Sequence, residues 1–362
     1  MKDFELAQYM NTSIERLVKD VVKSTFHNPK ETAFLLKYAK SIKTSSQKRL
    51  ENEKVGQHIP SFLISSITGS CNLFCKGCYA RANGICGETR SEEGMTASQW
   101  RDVFEQARGL GIAFNILAGG EPLLRKDVIT EAACVKDVIF AVFTNGTLID
   151  DFYLNLFDRN RNIVPVLSLE GDRKQTEARR GDIYDNLMAV IERMDRSGIL
   201  FGTSITVTSE NLDSVTSSKF VGDLYRLGCR LVFFIEYVPV EKSTETLALS
   251  EMMRVSLENR QNDLRKQYPS MVFMSFPGDE KHMGGCLAAG RGFFHINSNG
   301  SAEPCPFSPY SDMNVKDSTL LECLKSPLFN KLKEGGLVGG EHNGGCVLFE
   351  NREAVEQLLG NS

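Results

Sequence analysis

No apolar run in the chain approaches the ~18 residues that a membrane-spanning helix requires. Its first residues, MKDFELAQYMNTSIERL, lack the basic-then-apolar order of a secretory signal. Basic residues are not in excess either. The net charge is −4, so no nucleic-acid partner is expected. Internal repeats and low-complexity tracts are absent. These absences predict a soluble cytoplasmic protein, in a compartment where thiols stay reduced. With 362 residues, 41% hydrophobic and 24% charged, the chain has room for one large domain and a smaller one. Cysteine, by contrast, is plentiful. Ten cysteines in a reducing compartment point to metal binding or catalysis rather than disulfides.

Those cysteines divide into a tight trio (Cys71, Cys75, Cys78), a C-terminal set (Cys286, Cys305, Cys323, Cys346) and the scattered Cys86, Cys134 and Cys229. The trio lies in a chain whose apolar pattern alternates regularly from Ser61. Candidate strands are 62–68, 113–118, 138–144, 163–169, 200–207 and 230–238, with helical patterns between them such as MTASQWRDVFEQARGL and YDNLMAVIERMDRSG. Such alternation reads as repeated βα units on a parallel sheet, and six units suit a partial (β/α)6 barrel, an α/β fold. Unusual residues fall at the ends of successive strands: CNLFCKGC after the first, GGEP (119–122) after the second, TNG (144–146) after the third and SLEG (168–171) closing the fourth. In parallel α/β folds, sites gather at the carboxyl ends of strands, so one shared mouth is expected.

Thiolates are soft ligands that favour zinc or iron–sulfur clusters. Structural zinc wants four ligands, commonly as two separated pairs, and no histidine stands near this loop. Three sulfurs on one short loop suit three corners of a 4Fe–4S cluster, which ordinarily takes four cysteines. One iron is then open to a substrate or cofactor.

C-x3-C-x2-C followed in order by GGEP, TNGT and S-x-E-G resembles the radical S-adenosylmethionine (SAM) superfamily, over roughly residues 61–240. The resemblance implies that Cys71, Cys75 and Cys78 hold a 4Fe–4S cluster whose open iron is chelated by SAM. One-electron reduction then cleaves SAM to methionine and a 5′-deoxyadenosyl radical, which abstracts hydrogen from a substrate. It also implies cofactor-binding roles for Gly119, Gly120, Glu121, Asn145, Ser168 and Glu170. The glycines permit close backbone approach. Glu121 receives the methionyl amino group, Ser168 and Glu170 face ribose hydroxyls, and Asn145 either bonds nearby or serves only as a turn residue. Two positions depart from the family's common pattern. Gly77 stands where an aromatic often precedes the third cysteine, and Glu170 stands where many relatives have Asp.

Beyond residue 280 the βα rhythm ends. Cys286, thirteen residues, Gly300, four residues and Cys305 resemble the start of a SPASM or twitch extension, and FFHINSNGSAEPC reads as a hairpin turning at Asn299-Gly300. The resemblance implies one auxiliary 4Fe–4S cluster on Cys286, Cys305 and Cys346, with zinc as the alternative occupant. Cys323 lies in a helical apolar pattern and is expected to be buried and inert. His282 and His342 are further candidate ligands, and the remaining cysteines have no partner pattern.

Three regions result: a helical extension (1–60), a radical SAM core (61–280) and a small α+β auxiliary domain (281–362). In the first, IERLVKDVVKSTF has helical apolar spacing. The following stretch carries Lys37, Lys40, Lys43, Lys48 and Arg49 with no acid among them, which predicts a packing helix with a basic face or, alternatively, one lying on an anionic membrane. The expected function is hydrogen abstraction from a peptide, protein or small metabolite, with flavodoxin or ferredoxin as electron donor. A membrane-associated or anionic lipid-like substrate is the alternative the basic helices suggest. A non-catalytic iron–sulfur module on the same fold is the rival reading.

Overall fold

The computed structural model of the chain describes residues 6, 8–12, 22, 28–87, 94–339 and 346–360. Among the described residues ten strands, numbered β1 to β10 in chain order, form one sheet in the order β10-β9-β8-β1-β2-β3-β4-β5-β6-β7. β1 (Phe62–Ser66), β2 (Phe114–Ala118), β3 (Ile139–Thr144), β4 (Ile163–Ser168), β5 (Gly202–Val207) and β6 (Leu231–Glu236) are the six strands expected from the sequence, each trimmed by one to three residues. A seventh parallel strand, β7 (Val272–Phe276), pairs with β6 and adds to the predicted six.

Helices cover the sheet because their apolar residues recur on one face. Ala97–Leu110 buries Trp100, Val103, Phe104 and Ala107 at helical spacing. A capping box between Thr96 and Gln99 starts it, and Gly111, at φ +91°, ends it. The stretch 212–228, which reads as one helix in sequence, is two. Ser217 Oγ accepts from Phe220 N–H and starts a new helix at Ser218.

The helix Pro29–Lys54 closes the bottom of the barrel. Its Leu35, Tyr38 and Ile42 pack on Ala113, Ile139, Val164, Leu200, Leu231 and Val272, residues at or beside the amino ends of β2 to β7. Tyr38 Oη donates to Ala113 O at 2.6 Å. Lys37, Lys40 and Lys43 point to solvent, as a basic face should, but Arg49 does not. Its guanidinium is buried, bonded to Asn11 Oδ1 at 3.0 Å and to Gly111 O. The apolar face that a membrane-surface helix would insert is occupied by the barrel. The predicted helix over 14–26 lies outside the described residues except for Val22. Among the described residues no helix is long and apolar enough to cross a membrane.

At the other side of β1 the C-terminal segment joins the same sheet. β8 (His295–Ile296) runs parallel to β1, and β9 (Ser301–Glu303) and β10 (Met313–Asn314) follow antiparallel. The hairpin expected at Asn299-Gly300 is present, with Gly300 at φ +90°. His295 fastens it: Nδ1 meets Glu303 Oε2 at 2.7 Å and Nε2 meets Ser66 Oγ at 2.7 Å, all three residues being buried. The sheet therefore runs across the boundary that composition places near residue 280.

Candidate active site

The four strand-end motifs meet, and the cysteine loop is where they meet. Gly120 N–H donates to Thr68 O and Glu121 N–H to Ser70 O, both at 2.8 Å. A Cβ on Gly119 would run into Thr68 O, and one on Gly120 into Ser70 O. The absence of side chains at these two glycines thus lets the end of β2 lie directly against the backbone that leads into Cys71.

Glu121 is buried. Its Oε1 accepts from Leu123 N–H at 3.0 Å and Thr144 Oγ at 2.7 Å, and its Oε2 from Asn145 N–H at 2.8 Å. Burial pushes the carboxyl up to about 7, against the pull of those three hydrogen bonds. A carboxylate oxygen has two lone pairs, so Oε2 keeps one acceptor position. Asn145 closes a turn and also bonds into the cysteine loop. Its Oδ1 closes the turn by accepting from Thr147 N–H at 3.0 Å, while its Nδ2 donates to Asn72 Oδ1 at 2.9 Å, inside the cysteine loop.

From the fourth strand, Ser168 Oγ lies 3.4 Å from Ser204 Oγ. Glu170 is buried and accepts from Thr206 N–H at 3.0 Å through Oε2. Its Oε1 pairs with Arg180 and, at 3.3 Å, with Arg179. Arg180 reaches on to the cluster loop, with Nη1 3.5 Å from Cys75 Sγ, and Arg179 O accepts from Lys76 N–H at 2.8 Å. The longer arm of Glu170 is therefore spent on two arginines that also hold the cysteine loop. These arginines carry no motif and escape sequence reading. Only their place at the end of the charged helix Arg173–Arg180, which begins two residues past S-x-E-G, hints at them.

The thiols sit among cations. Cys71 is drawn down to about 6, first by a hydrogen bond from the Cys86 thiol and then by Leu73 N–H and the Arg81 and Arg180 guanidiniums, against burial. Cys86, which has no pattern in sequence, is held correspondingly high by the same contact. Burial raises Cys75, and Arg180 opposes it. Arg81 donates to Leu73 O at 2.6 Å and braces the loop from below. At Gly77 the missing side chain is replaced from another strand: the Tyr237 ring, just past β6, fills the space that a Cβ there would need. Tyr79 instead faces the C-terminal segment, its ring centroid 4.7 Å from that of Phe307.

In that segment Cys286, Cys305 and Cys346 line one cavity together with Glu280. Burial raises the Cys286 and Cys305 thiols, while a hydrogen bond from Cys305 lowers Cys346. Cys323 is buried in the helix Leu320–Leu324, away from this cavity, as its pattern predicts. His282 pairs with Glu258 at 2.9 Å, half exposed, and His342 lies outside the described residues.

Three thiols per site are, once deprotonated, soft donors of the kind that hold an iron–sulfur cluster. Among the described residues no three His, Cys, Asp or Glu side chains converge closely enough to hold one metal ion. A cubane asks for wider spacing, because each thiolate binds its own iron. At the first site the cations around Cys71 and Cys75 offset the negative charge that deprotonated thiolates bring.

Residues 65–218 match the Radical SAM superfamily. Over that stretch the chain is similar to a class of proteins among which SuiB of Streptococcus suis, 19% identical, has been solved with S-adenosylmethionine bound. Pre-heme d1 synthase of Dinoroseobacter shibae is 30% identical over 154 residues, 41% of this chain and 37% of that protein, so the chain spans well under half the length of this relative. AdoMet-dependent heme synthase of Methanosarcina barkeri is 24% identical over 306 residues, 76% of this chain and 85% of that one. In three dimensions, SuiB of Streptococcus suis bound to precursor peptide SuiA superposes with a TM-score of 0.65 at 18% identity, covering 85% of this chain and 77% of the other. That coverage carries the likeness of fold beyond residue 218 into the C-terminal segment.

Proposed function

We propose that the chain is a radical SAM enzyme that abstracts hydrogen from a peptide or small-metabolite substrate, with an auxiliary cluster on Cys286, Cys305 and Cys346. The observation that supports it is the hydrogen-bonded web by which Glu121, Asn145 and Glu170 each connect, directly or through one residue, to the loop of Cys71, Cys75 and Cys78. A cluster module without turnover has no use for a buried carboxylate with an open acceptor position at that mouth.

When bound, the cluster and SAM supply the one-electron cleavage that yields methionine and a 5′-deoxyadenosyl radical, with flavodoxin or ferredoxin as the class of electron donor. The protein's own part is placement. Glu121 Oε2 offers its remaining lone pair to the methionyl ammonium, a charge-assisted contact that also turns a poorly solvated carboxyl into a paired carboxylate. The Ser168 hydroxyl stands at the end of β4, where it would be offered to a ribose hydroxyl. Glu170 holds Arg179 and Arg180 against the cysteine loop, and would act on the ribose through the ordering of that wall. Tyr237 covers Gly77 and supplies an aromatic ring at the position where the loop has a glycine. The helix Pro29–Lys54 shuts the opposite end, which keeps water from the barrel interior.

The test is 5′-deoxyadenosine formation by anaerobically reconstituted protein given SAM and dithionite. Nucleoside well above that of Cys75→Ala is expected. No nucleoside from a protein whose cluster absorbance is intact, with peptide and tetrapyrrole substrates both supplied, overturns the reading in favour of a non-catalytic module.

A further inference from the structure

Glu280 lies in the single helical turn Gly278–Met283 that follows β7, ahead of every cysteine of the C-terminal set. No motif marks it. It is 3% exposed, and its carboxylate enters the cavity that Cys286, Cys305 and Cys346 line. Every other residue of that lining is apolar, with Phe276, Phe293, Phe307 and Val238 prominent. Four groups with metal-binding atoms thus face one another inside a shell of hydrocarbon.

The carboxylate is only half accounted for. Oε2 accepts from Leu287 N–H at 3.2 Å. Oε1 is buried and has no hydrogen-bond partner of good geometry among the described residues, although the Cys286 thiol lies beside it. The nearby Arg291 acts on it through charge alone, since its Nη1 goes to Cys286 O and its Nη2 to Gly284 O, the latter at 3.3 Å. A buried carboxylate oxygen without a partner is strongly disfavoured unless the group is protonated or meets a cation. An iron held by the three thiolates would supply that cation.

We propose that Glu280 is the fourth protein ligand of the auxiliary cluster, completing Cys286, Cys305 and Cys346. The inference rests on the auxiliary cluster of the preceding reading and adds a consequence to it. A cluster with four protein ligands has no vacant corner, so the auxiliary site passes electrons and does not itself hold substrate. Substrate recognition then belongs to the mouth above Cys71, Cys75 and Cys78. A carboxylate also makes one iron chemically distinct from its three thiolate-bound neighbours, which gives the proposal a spectroscopic signature independent of activity.

The experiment uses the full chain carrying Cys75→Ala, so that the remaining iron reports the auxiliary site. Glu280→Gln, Glu280→Ala, Glu280→Cys and, as control, Cys286→Ala are each reconstituted anaerobically with iron-57 and sulfide. Iron and sulfide per chain, Mössbauer spectra and the electron paramagnetic resonance of the oxidised and reduced states are compared. Glu280→Gln and Glu280→Ala are expected to lose the distinct iron and show the oxidised-state signal of a three-iron cluster. Glu280→Cys is expected to recover four irons with altered spectra. Iron content and spectra unchanged in Glu280→Gln and Glu280→Ala overturn the proposal, leaving Glu280 as a hydrogen-bonding neighbour of the Cys286 thiolate. Cys286→Ala that keeps its iron is a different failure: it removes the auxiliary cluster itself. The isosteric Glu280→Gln, with its melting temperature measured alongside, separates loss of a ligand from loss of fold.

Discussion

A carboxyl that keeps its proton to about pH 7 makes stability depend on pH, and Glu121 is such a group. Its value in the folded chain lies above the unfolded 4.5, so the folded state binds the proton more tightly. The stabilisation is complete below about pH 4.5 and is lost as pH rises through about 7, on the order of 3 kcal/mol for a fully buried group. Melting temperatures of the cluster-free protein should fall across that window, and Glu121→Gln should flatten the slope. A slope unchanged by the substitution would mean the proton sits elsewhere. Gly120 predicts a steric effect instead. In Gly120→Ala the new methyl meets the Ser70 carbonyl, which costs ~1–3 kcal/mol and displaces the start of the cysteine loop. Lower thermal stability and poor cluster reconstitution should appear together; a variant that reconstitutes fully would show that the loop yields. At this scale the sequence is informative where a residue type has few uses. Three close cysteines and a GGE at a strand end name their own chemistry. Arg180, Cys86 and Glu280 do not, because an arginine, a lone cysteine or a glutamate is common everywhere and only folding gives it neighbours.

Among the elements, the helix Arg173–Arg180 has the most leverage on the site. It starts at an Asp172 capping box and ends with two arginines that bind Glu170 on one side and the cysteine loop on the other. Removing Arg180 leaves a buried carboxylate with Arg179 as its remaining charged partner. The cost of Arg180→Ala should therefore fall near the lower end of the ~3–5 kcal/mol typical of broken buried pairs. Chemical denaturation would measure it, and SAM binding should weaken because Cys75 loses its cation. A change below ~0.5 kcal/mol would place that arginine in solvent rather than in the wall. Elements with a clear apolar period, β1 to β6 and the helix Ala97–Leu110, are legible in the sequence alone. β7 is not: VFMSF is a short apolar run beyond the last motif, and periodicity alone does not separate such a run from a buried stretch of helix. The helix Pro29–Lys54 shows its basic face in the sequence, yet what its other face covers depends on strand ends that lie far away along the chain.

On the scale of the whole molecule, the joint between β1 and β8 decides whether the C-terminal segment behaves as a separate body. It consists of a short parallel pairing, the packed rings of Phe62 and Phe293 at 5.0 Å between centroids, and the Ser66–His295–Glu303 contacts. His295→Ala leaves Glu303 with Asn297 as its side-chain partner and Ser66 Oγ without the imidazole, a loss of about 2–3 kcal/mol. Because the sheet is continuous, the wild-type chain should unfold in one transition. The variant should show an earlier transition, with protease cleavage concentrated near residues 280–295. Two transitions already present in the unaltered chain would contradict the continuous sheet.

That joint also bears on how the chain is made. During synthesis β1 to β7 emerge well before residues 295–296, and until β8 arrives β1 is an uncovered sheet edge carrying Phe62, Leu63 and Ile64. Open edges of this kind pair with other chains, and large α/β proteins expose them for as long as folding is incomplete. The C-terminal hairpin is in this sense a guard strand that arrives late. Shortening the chain before residue 290 would remove more than a cluster site, since it would leave β1 free to recruit a neighbour.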